Sequence, residues 1–386
     1  MSLTITTKNE TLPEVCHYCS TNSFGGLEMN VVRLLAWLKD EGCHVQLMAP
    51  ANSPVANFAK ENNVPVTTIE INKKYFDVKR AYSLAKLLKA NKVKIFIVAA
   101  TRDVAFGSMV KRYYPKLKLI YHSHMQLGIS KKSLIHTLRF RKLDKWIVSL
   151  PYLKKEVGER TNYPVSKVDL IPFCVDTAFF TGFEKSKEEC RKELGLPVDK
   201  KVIGILGRID RLKRQQFLVQ ALKIIHEKGE QPVLVIMGEP TRNTTNAYYE
   251  ELKQMVKDYQ LDEVVIIKPF TKEIRSFYRA LDVFAMATKG ETYGMVTIEA
   301  MVNGTPVLAC NSGGSVEILE EGELGNVFDP DSLDDFCEKY SRMIANWDET
   351  KKLAEKVKQI AVERYDKSVM VKALIHIFDS YLKEQV

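Results

Sequence analysis

The 386-residue sequence has no apolar run approaching the ~18 residues that cross a bilayer. Its longest apolar stretches, such as residues 95–100 and 264–267, have strand length. Residues 1–20 are polar and carry no apolar leader core, so no signal peptide is expected. Cysteine is sparse: seven residues, at positions 16, 19, 43, 174, 190, 310 and 337. An odd, scattered set fits a reducing, cytoplasmic setting and speaks against a disulfide framework. Cys16-His17-Tyr18-Cys19 forms a C-x-x-C, but no second pair completes a zinc site. The pair falls in a buried-strand pattern rather than at a helix start, so these cysteines read as structural. Two nucleotide fingerprints are also missing. No G-x-G-x-x-G follows a strand, Gly204-Ile205-Leu206-Gly207 having the wrong spacing, and no G-x-x-x-x-G-K-[ST] occurs. This argues against dinucleotide-dependent redox chemistry and P-loop hydrolysis. No basic run interleaved with aromatics points to nucleic acid.

What is present is a globular composition, 45% hydrophobic and 27% charged. At ~100–200 residues per domain, the length predicts two domains. The net charge of +9 is unevenly spread. Residues 1–175 hold 27 basic and 13 acidic side chains, and the remainder 30 and 35. A strongly basic first half suggests an anionic partner there.

The pattern is strand then helix, repeated. Strands are expected at 14–20, 44–49, 66–71, 94–98, 118–122 and 145–149. Helices are expected at 27–40, with Leu27, Val31, Leu34, Leu35 and Leu38 at helical spacing, and at 81–90. The pattern breaks near 171–180, passes a charged helix at 185–194, and restarts. Strands at 201–206, 233–237, 264–267, 283–286 and 307–309 then alternate with helices, among them 216–228 and 248–259. Apolar runs separated by helices indicate parallel sheets covered on both faces. In such sheets ligands bind at the carboxyl ends of the strands.

Four constellations lie at such ends. Gly290-Glu291-Thr292-Tyr293-Gly294-Met295 follows the strand at 283–286 and opens a helix that carries Glu299. Backbone N–H groups at that helix start can bind phosphate or sugar oxygens. The two carboxylates, eight residues apart, can grip separate hydroxyl-bearing parts of one ligand. Arg208 and Lys213, around the turn after 201–206, can place two cations on one diphosphate. Gly25-Gly26, with Glu28, lets backbone approach a phosphate closely after the first strand. His122-Ser123-His124 ends the strand at 118–122, and one histidine of the two is expected to face the ligand. Asp329-Pro330-Asp331 has the look of a metal-binding D-x-D but sits in Asp-Pro turn chemistry and reads as a turn.

Together these motifs resemble the retaining glycosyltransferases of family four, over most of the chain. Glu291 and Glu299 are similar to that family's E-x7-E motif, Arg208 and Lys213 to its donor-phosphate cations, and Gly25-Gly26 to its N-terminal loop. Ile171-Pro172 with Val175-Asp176 is similar to its interdomain segment. The resemblance implies an α/β fold of two Rossmann-like doubly wound domains facing across a cleft, called GT-B. Residues 1–175 would bind the acceptor and 176–365 a nucleotide-diphosphate sugar, with a helix in 366–386 packing back on the first domain. It implies an enzyme that moves a sugar to an acceptor hydroxyl with retention, in cell-surface glycan or glycolipid assembly. Arg208 and Lys213 would hold the diphosphate and Glu291 the donor-sugar hydroxyls. Glu299 and Gly238 would hold the ribose, and Phe270 and Thr271 the base. Gly25, Gly26, Thr292, Tyr293, Gly294 and Met295 would complete the donor site, and His124 would contact the sugar. No metal and no cofactor are implied. Alternatives with the same architecture are a nucleotide-sugar epimerase and a non-catalytic nucleotide-sugar-binding paralogue.

The sequence departs from the family where Phe173-Cys174 replaces Asn-Gly, where Arg214 replaces the glycine after Lys213, and where Tyr293 replaces Phe. Finally, Lys131, Lys132, Arg139, Arg141 and Lys142 bracket a stretch which, if helical over 133–143, offers Leu134, Leu138 and Phe140 beside a cationic rim. That composition suits peripheral binding to an anionic membrane.

Overall fold

The structure, a computed structural model, describes residues 14–71, 77–240 and 246–383. Two compact units emerge. One runs from the first described residues to Phe173 and takes in the chain from Lys367 onward; the other is Cys174–Asp366.

In the first unit the strands are β1 (Val15–Tyr18), β2 (Val45–Pro50), β3 (Val66–Ile69), β4 (Ile95–Val98), β5 (Lys118–His122), β6 (Lys145–Val148) and β7 (Val168–Leu170). The helices are α1 (Gly26–Asp40), α2 (Pro54–Glu61), α3 (Val78–Ala90), α4 (Thr101–Tyr113), α5 (Leu134–Phe140) and α6 (Pro151–Arg160). The sheet is parallel throughout, in the order β3-β2-β1-β4-β5-β6-β7. Every residue of β1 and β4 is buried, as continuous apolar runs require of a sheet covered on both faces.

The second unit opens with α7 (Thr177–Thr181) and α8 (Lys187–Leu194). Its strands are β8 (Val202–Leu206), β9 (Val233–Met237), β10 (Val265–Lys268), β11 (Val283–Met286), β12 (Val307–Cys310) and β13 (Asn326–Phe328). Between and after them run α9 (Gln215–Glu227), α10 (Ala247–Asp258), α11 (Ile274–Ala280), α12 (Met295–Val302), α13 (Gly314–Ile318), α14 (Leu333–Ala345) and α15 (Trp347–Tyr365). The order β10-β9-β8-β11-β12-β13 repeats the plan of the first unit. The last helix, α16 (Lys367–Lys383), rejoins the first unit and packs on α1, with Met370, Leu374 and Phe378 among its buried residues.

In both sheets the strand order reverses once, between β1 and β4 and between β8 and β11. These are the switch points at which a doubly wound sheet opens a crevice for ligand.

The charged helix expected at 185–194 is α8, and it is a staple rather than a solvated helix. Arg191 is 5% exposed and donates to the carbonyls of Ala280, Val198 and Lys200 and, at 2.6 Å, to Asp282. Asp282 also accepts from Lys187 and from the Val202 N–H. Burial raises the Asp282 carboxyl, but Lys187, the Val202 N–H and Arg191 outweigh it and hold it below the usual range. The stretch at 133–143 is helical only over α5, and Phe140, expected on its exposed side, is buried beneath it at 2% exposure. None of the seven cysteines is in a disulfide. Asp329-Pro330-Asp331 is a turn: the Asp331 N–H donates to the Asp329 side chain at 2.8 Å, and Lys289 holds Asp331.

Candidate functional site

At the switch point of the second unit, the loops after β8 and β11 bring two of the expected residues together. Lys213 Nζ lies 2.5 Å from Glu291 Oε2, the side chains being 19% and 21% exposed. The sequence reading gave these groups separate tasks, diphosphate and sugar; here they neutralise one another. Arg208, on the same β8 loop, is exposed and reaches Asp210 at 3.4 Å.

The backbone around this pair leaves no room for side chains. Gly238, directly after β9, has φ +155°, and a Cβ there would sit 1.8 Å from the Gly207 carbonyl oxygen. The hydrogen-bond ladder continues past the strands, from Gly207 N–H to Met237 and from Ile209 N–H to Glu239. Gly313 (φ +71°) presses on the Glu291 backbone, where a Cβ would fall 2.2 Å from the Glu291 carbonyl oxygen. The Gly314 N–H donates to that oxygen at 2.7 Å. Gly207 and Gly313, which sequence reasoning did not assign to the site, thus hold Lys213 and Glu291 in register.

Arg214 explains one departure from the family pattern. It is the N-cap of α9 with φ +56°, the left-handed backbone that favours glycine. Its guanidinium donates to the Pro330 carbonyl at 2.7 Å and lies 4.7 Å from the Phe217 ring centroid, contacts a glycine cannot make. The helix start after Lys213 is therefore kept.

Gly294 caps α12 at φ +98°, with Met295 as first helical residue, so this helix N-terminus opens directly after Thr292-Tyr293. Tyr293 is buried. Glu299, inside α12, is 6% exposed and accepts a 2.7 Å hydrogen bond from the Tyr278 hydroxyl. Tyr278 was not singled out in the sequence; its α11 position gave no signal. At the end of β10, Phe270 is half exposed and Thr271 Oγ1 accepts from the Glu273 N–H.

In the first unit, Gly25 and Gly26 open α1 at the β1–β4 switch point. Gly25 is extended, and its N–H donates to Glu28 at 2.9 Å, so that donor is already engaged. A Cβ on Gly26 would meet nothing within 4 Å. Neither backbone conformation demands glycine; what the pair leaves is empty space. Across the switch point, in the first turn of α4, Asp103 is buried and holds the chain after β1. It accepts from the Ser20 hydroxyl at 2.5 Å and the Ser20 N–H at 3.3 Å. Burial raises its carboxyl to about 6, against the pull of Ser20 and Arg102. This residue was missed because α4 carries no regular apolar period.

His122 and His124 do not alternate. Residues two apart share a face of a strand, and their rings lie 5.0 Å apart. Both pack on Phe173, at 5.2 and 4.3 Å, which is what the Phe in place of the family's Asn does. They are 1% and 9% exposed, and the Nε2 of each has no protein partner. Burial lowers His122 to about 4; burial, His122 and His17 hold His124 well below the usual histidine range. Both are neutral at pH 7.

Among the described residues no group of histidine, cysteine or carboxylate side chains is arranged to hold a metal ion.

Comparison with known proteins agrees with this architecture. The family profile "Glycosyl transferases group 1" matches residues 186–360, and "Glycosyltransferase Family 4" matches residues 24–179. The crystal structure of Anabaena HepE in complex with UDP is similar at TM-score 0.83 and 18% identity, over 95% of this chain and 100% of that one. A glycosyltransferase from Rickettsia africae is similar at TM-score 0.84 and 17% identity, over 96% and 98%. Among curated proteins, the D-inositol 3-phosphate glycosyltransferase of Corynebacterium urealyticum is 30% identical over 205 residues, 52% of this chain and 48% of its own. That of Corynebacterium kroppenstedtii is 32% identical over 187 residues, 46% and 41%. The chain thus spans about half the length of the curated relatives it matches.

Proposed function

The chain belongs to the glycosyl transferases group 1, with the GT-B fold, and we propose that it moves a sugar from a nucleotide-diphosphate sugar to an acceptor hydroxyl with retention of configuration. The observation that carries this is the meeting of Lys213 and Glu291 at the switch point of the second sheet. A cation and a carboxylate there, beside the N-terminus of α12, match the two ends of such a donor: an anionic diphosphate and a hydroxyl-bearing sugar.

In the reaction the bond between the anomeric carbon and the leaving phosphate oxygen breaks. The acceptor oxygen bonds to the same face of that carbon. The departing phosphate takes the acceptor proton, so no separate protein base is required. Lys213 and Arg208 stabilise the charge that develops on the leaving oxygen; such a contact is worth ~3–4 kcal/mol in the transition state. Glu291 holds donor-sugar hydroxyls once the diphosphate has displaced it from Lys213. Glu299 and Gly238 serve the ribose, and Phe270 and Thr271 the base. Thr292, Tyr293, Gly294 and Met295 present the α12 N-terminus; within the first unit, Gly25 and Gly26 leave room for a phosphate. The diphosphate's counter-charge comes from side chains, so transfer is expected to persist in excess chelator.

The acceptor is proposed to be anionic or lipid-linked, in cell-surface glycan assembly. Residues 1–175 are strongly basic, and the curated relatives are named for D-inositol 3-phosphate. The test is a thermal-shift screen of nucleoside diphosphates and their sugars, UDP first because HepE was solved with it. A ligand that binds only the native state raises the melting temperature. Lys213→Ala should then lower kcat by about 100-fold or more with the fold intact. Unchanged kcat would remove Lys213 from the mechanism.

A further inference from the structure

Five large apolar side chains of one short stretch stand in solvent: Met125 63%, Ile129 65%, Leu134 74%, Ile135 56% and Leu138 53% exposed. Among the described residues no other stretch of that length holds more than two apolar side chains at least half exposed. Scattered single apolar residues are ordinary on a protein surface; a cluster of this kind marks an interaction site.

The cluster is not a loose loop. The Leu127 and Gly128 N–H groups donate to Glu156, and the Gly128 carbonyl accepts from Arg160. The Lys131 N–H donates to the Arg160 carbonyl, and Asn162 donates to the Lys132 carbonyl and to Thr137. Helix α5 is docked through Phe140, which stacks with His136 and packs on Trp146. With that face spent, Leu134, Ile135 and Leu138, one and four residues apart on one side of the helix, are left facing water.

Cations frame these residues. Lys131 and Lys132 precede α5, and Arg139, Arg141 and Lys142 end it. Among the described residues Lys131, Lys132, Arg141 and Lys142 take part in no ion pair, whereas neighbouring carboxylates are already engaged, Glu156 by Arg160 and Asp144 by Lys111. The local field is felt by His136, whose ring is held below its usual range by burial and then by Lys131 and Arg139.

We infer that residues 125–142 form a membrane-contact surface that inserts Leu134, Ile135 and Leu138 into the headgroup region of an anionic bilayer while the flanking lysines and arginines meet its lipid phosphates. A soluble protein partner of acidic character would satisfy the charges, but Leu134, Ile135 and Leu138 stand more than half exposed on one side of a short helix, which suits a deformable lipid surface. No helix among the described residues is long and apolar enough to cross a membrane, so the attachment is peripheral. The inference deepens the lipid-linked-acceptor reading, yet its test needs no enzymatic activity, so the two can fail separately.

The experiment is co-sedimentation of the full chain with phosphatidylcholine vesicles and with vesicles containing phosphatidylglycerol, at low and high salt. Binding to the anionic vesicles alone, weakened by salt, is expected. The triple variant Lys132→Gln, Arg141→Gln, Lys142→Gln should partition about 100-fold less, each basic residue contributing roughly fivefold. Leu134→Ser with Leu138→Ser should lose at least about tenfold at equal charge. Melting temperatures equal to wild type would show that neither variant merely unfolds. No binding to anionic vesicles at low salt overturns the inference. So does an apolar variant that binds as well as wild type, or self-association through this face without lipid.

Discussion

Replacing Glu291 by Gln should tighten the binding of a free nucleoside diphosphate while slowing sugar transfer. Without ligand, the Glu291 carboxylate occupies Lys213 at 2.5 Å. A diphosphate that takes Lys213 must first displace it, so its measured affinity carries the free energy of that pair. Two unit charges near a protein surface attract by about 4 kcal/mol at 4 Å and an effective dielectric of ~20. Both side chains remain about one-fifth exposed, 19% and 21%, and desolvation and ordering offset most of the attraction. The net value is therefore ~1–2 kcal/mol. Removing the competitor should tighten nucleoside diphosphate binding by about 5- to 30-fold. Gln keeps the shape and one acceptor oxygen, so the loop after β11 should be undisturbed. Isothermal titration with UDP, or with whichever diphosphate stabilises the wild type, reads the affinity; a transfer assay reads kcat. Transfer should fall because the carboxylate that holds donor-sugar hydroxyls is gone. A Glu291→Gln protein that binds the diphosphate no tighter than wild type would refute the idea that carboxylate and diphosphate share Lys213.

Four further outcomes follow from the structure. Gly26→Ala should fold normally, since an added Cβ meets nothing within 4 Å, yet lose transfer activity if a ligand needs that space; full activity would reduce the Gly-Gly pair to an ordinary helix start. Gly238→Ala, by contrast, should fold poorly, its Cβ falling 1.8 Å from the Gly207 carbonyl oxygen, and a normal melting curve would contradict that contact. Asp282→Asn leaves the buried Arg191 uncompensated and should destabilise the second unit by about 3–5 kcal/mol in urea unfolding; a loss under about 1 kcal/mol would mean that water reaches the pair. His122 has a folded-state pKa of about 4, lowered by burial. A lowered histidine contributes stability in full above its unfolded value of about 6.5 and loses it as pH falls toward the folded value, here about 3 kcal/mol. Asp103, raised to about 6, acts oppositely, its penalty growing as pH rises from about 4 to 6. His122→Leu should therefore flatten the acid side of the stability–pH curve, measured by urea unfolding across that range. An unchanged slope would show that His122 is not buried as neutral imidazole.

Much of this protein was legible without its structure, because what specifies it is local in the chain. Strands covered on both faces must be continuously apolar, so Lys118–His122, Val233–Met237 and Val283–Met286 are expected and observed with the same bounds. Ligand loops in such sheets follow strand ends, which is why Gly25-Gly26, Arg208, Lys213 and Glu291 could be named as candidates from position and motif. Tertiary structure decided what depends on residues distant in the chain. It put Lys213 against Glu291, 78 residues away, in an ion pair that no spacing rule contains. It made Gly238 obligatory through a carbonyl on the neighbouring loop. It turned a charged helix into a staple through Asp282, and it left Leu134, Ile135 and Leu138 in solvent while burying Phe140. A period in the sequence states which residues share a face, but only packing states what that face meets. Burial, pairing and proton affinity are properties of the neighbour as much as of the residue, and in a doubly wound sheet the neighbours are brought in by crossovers of dozens of residues.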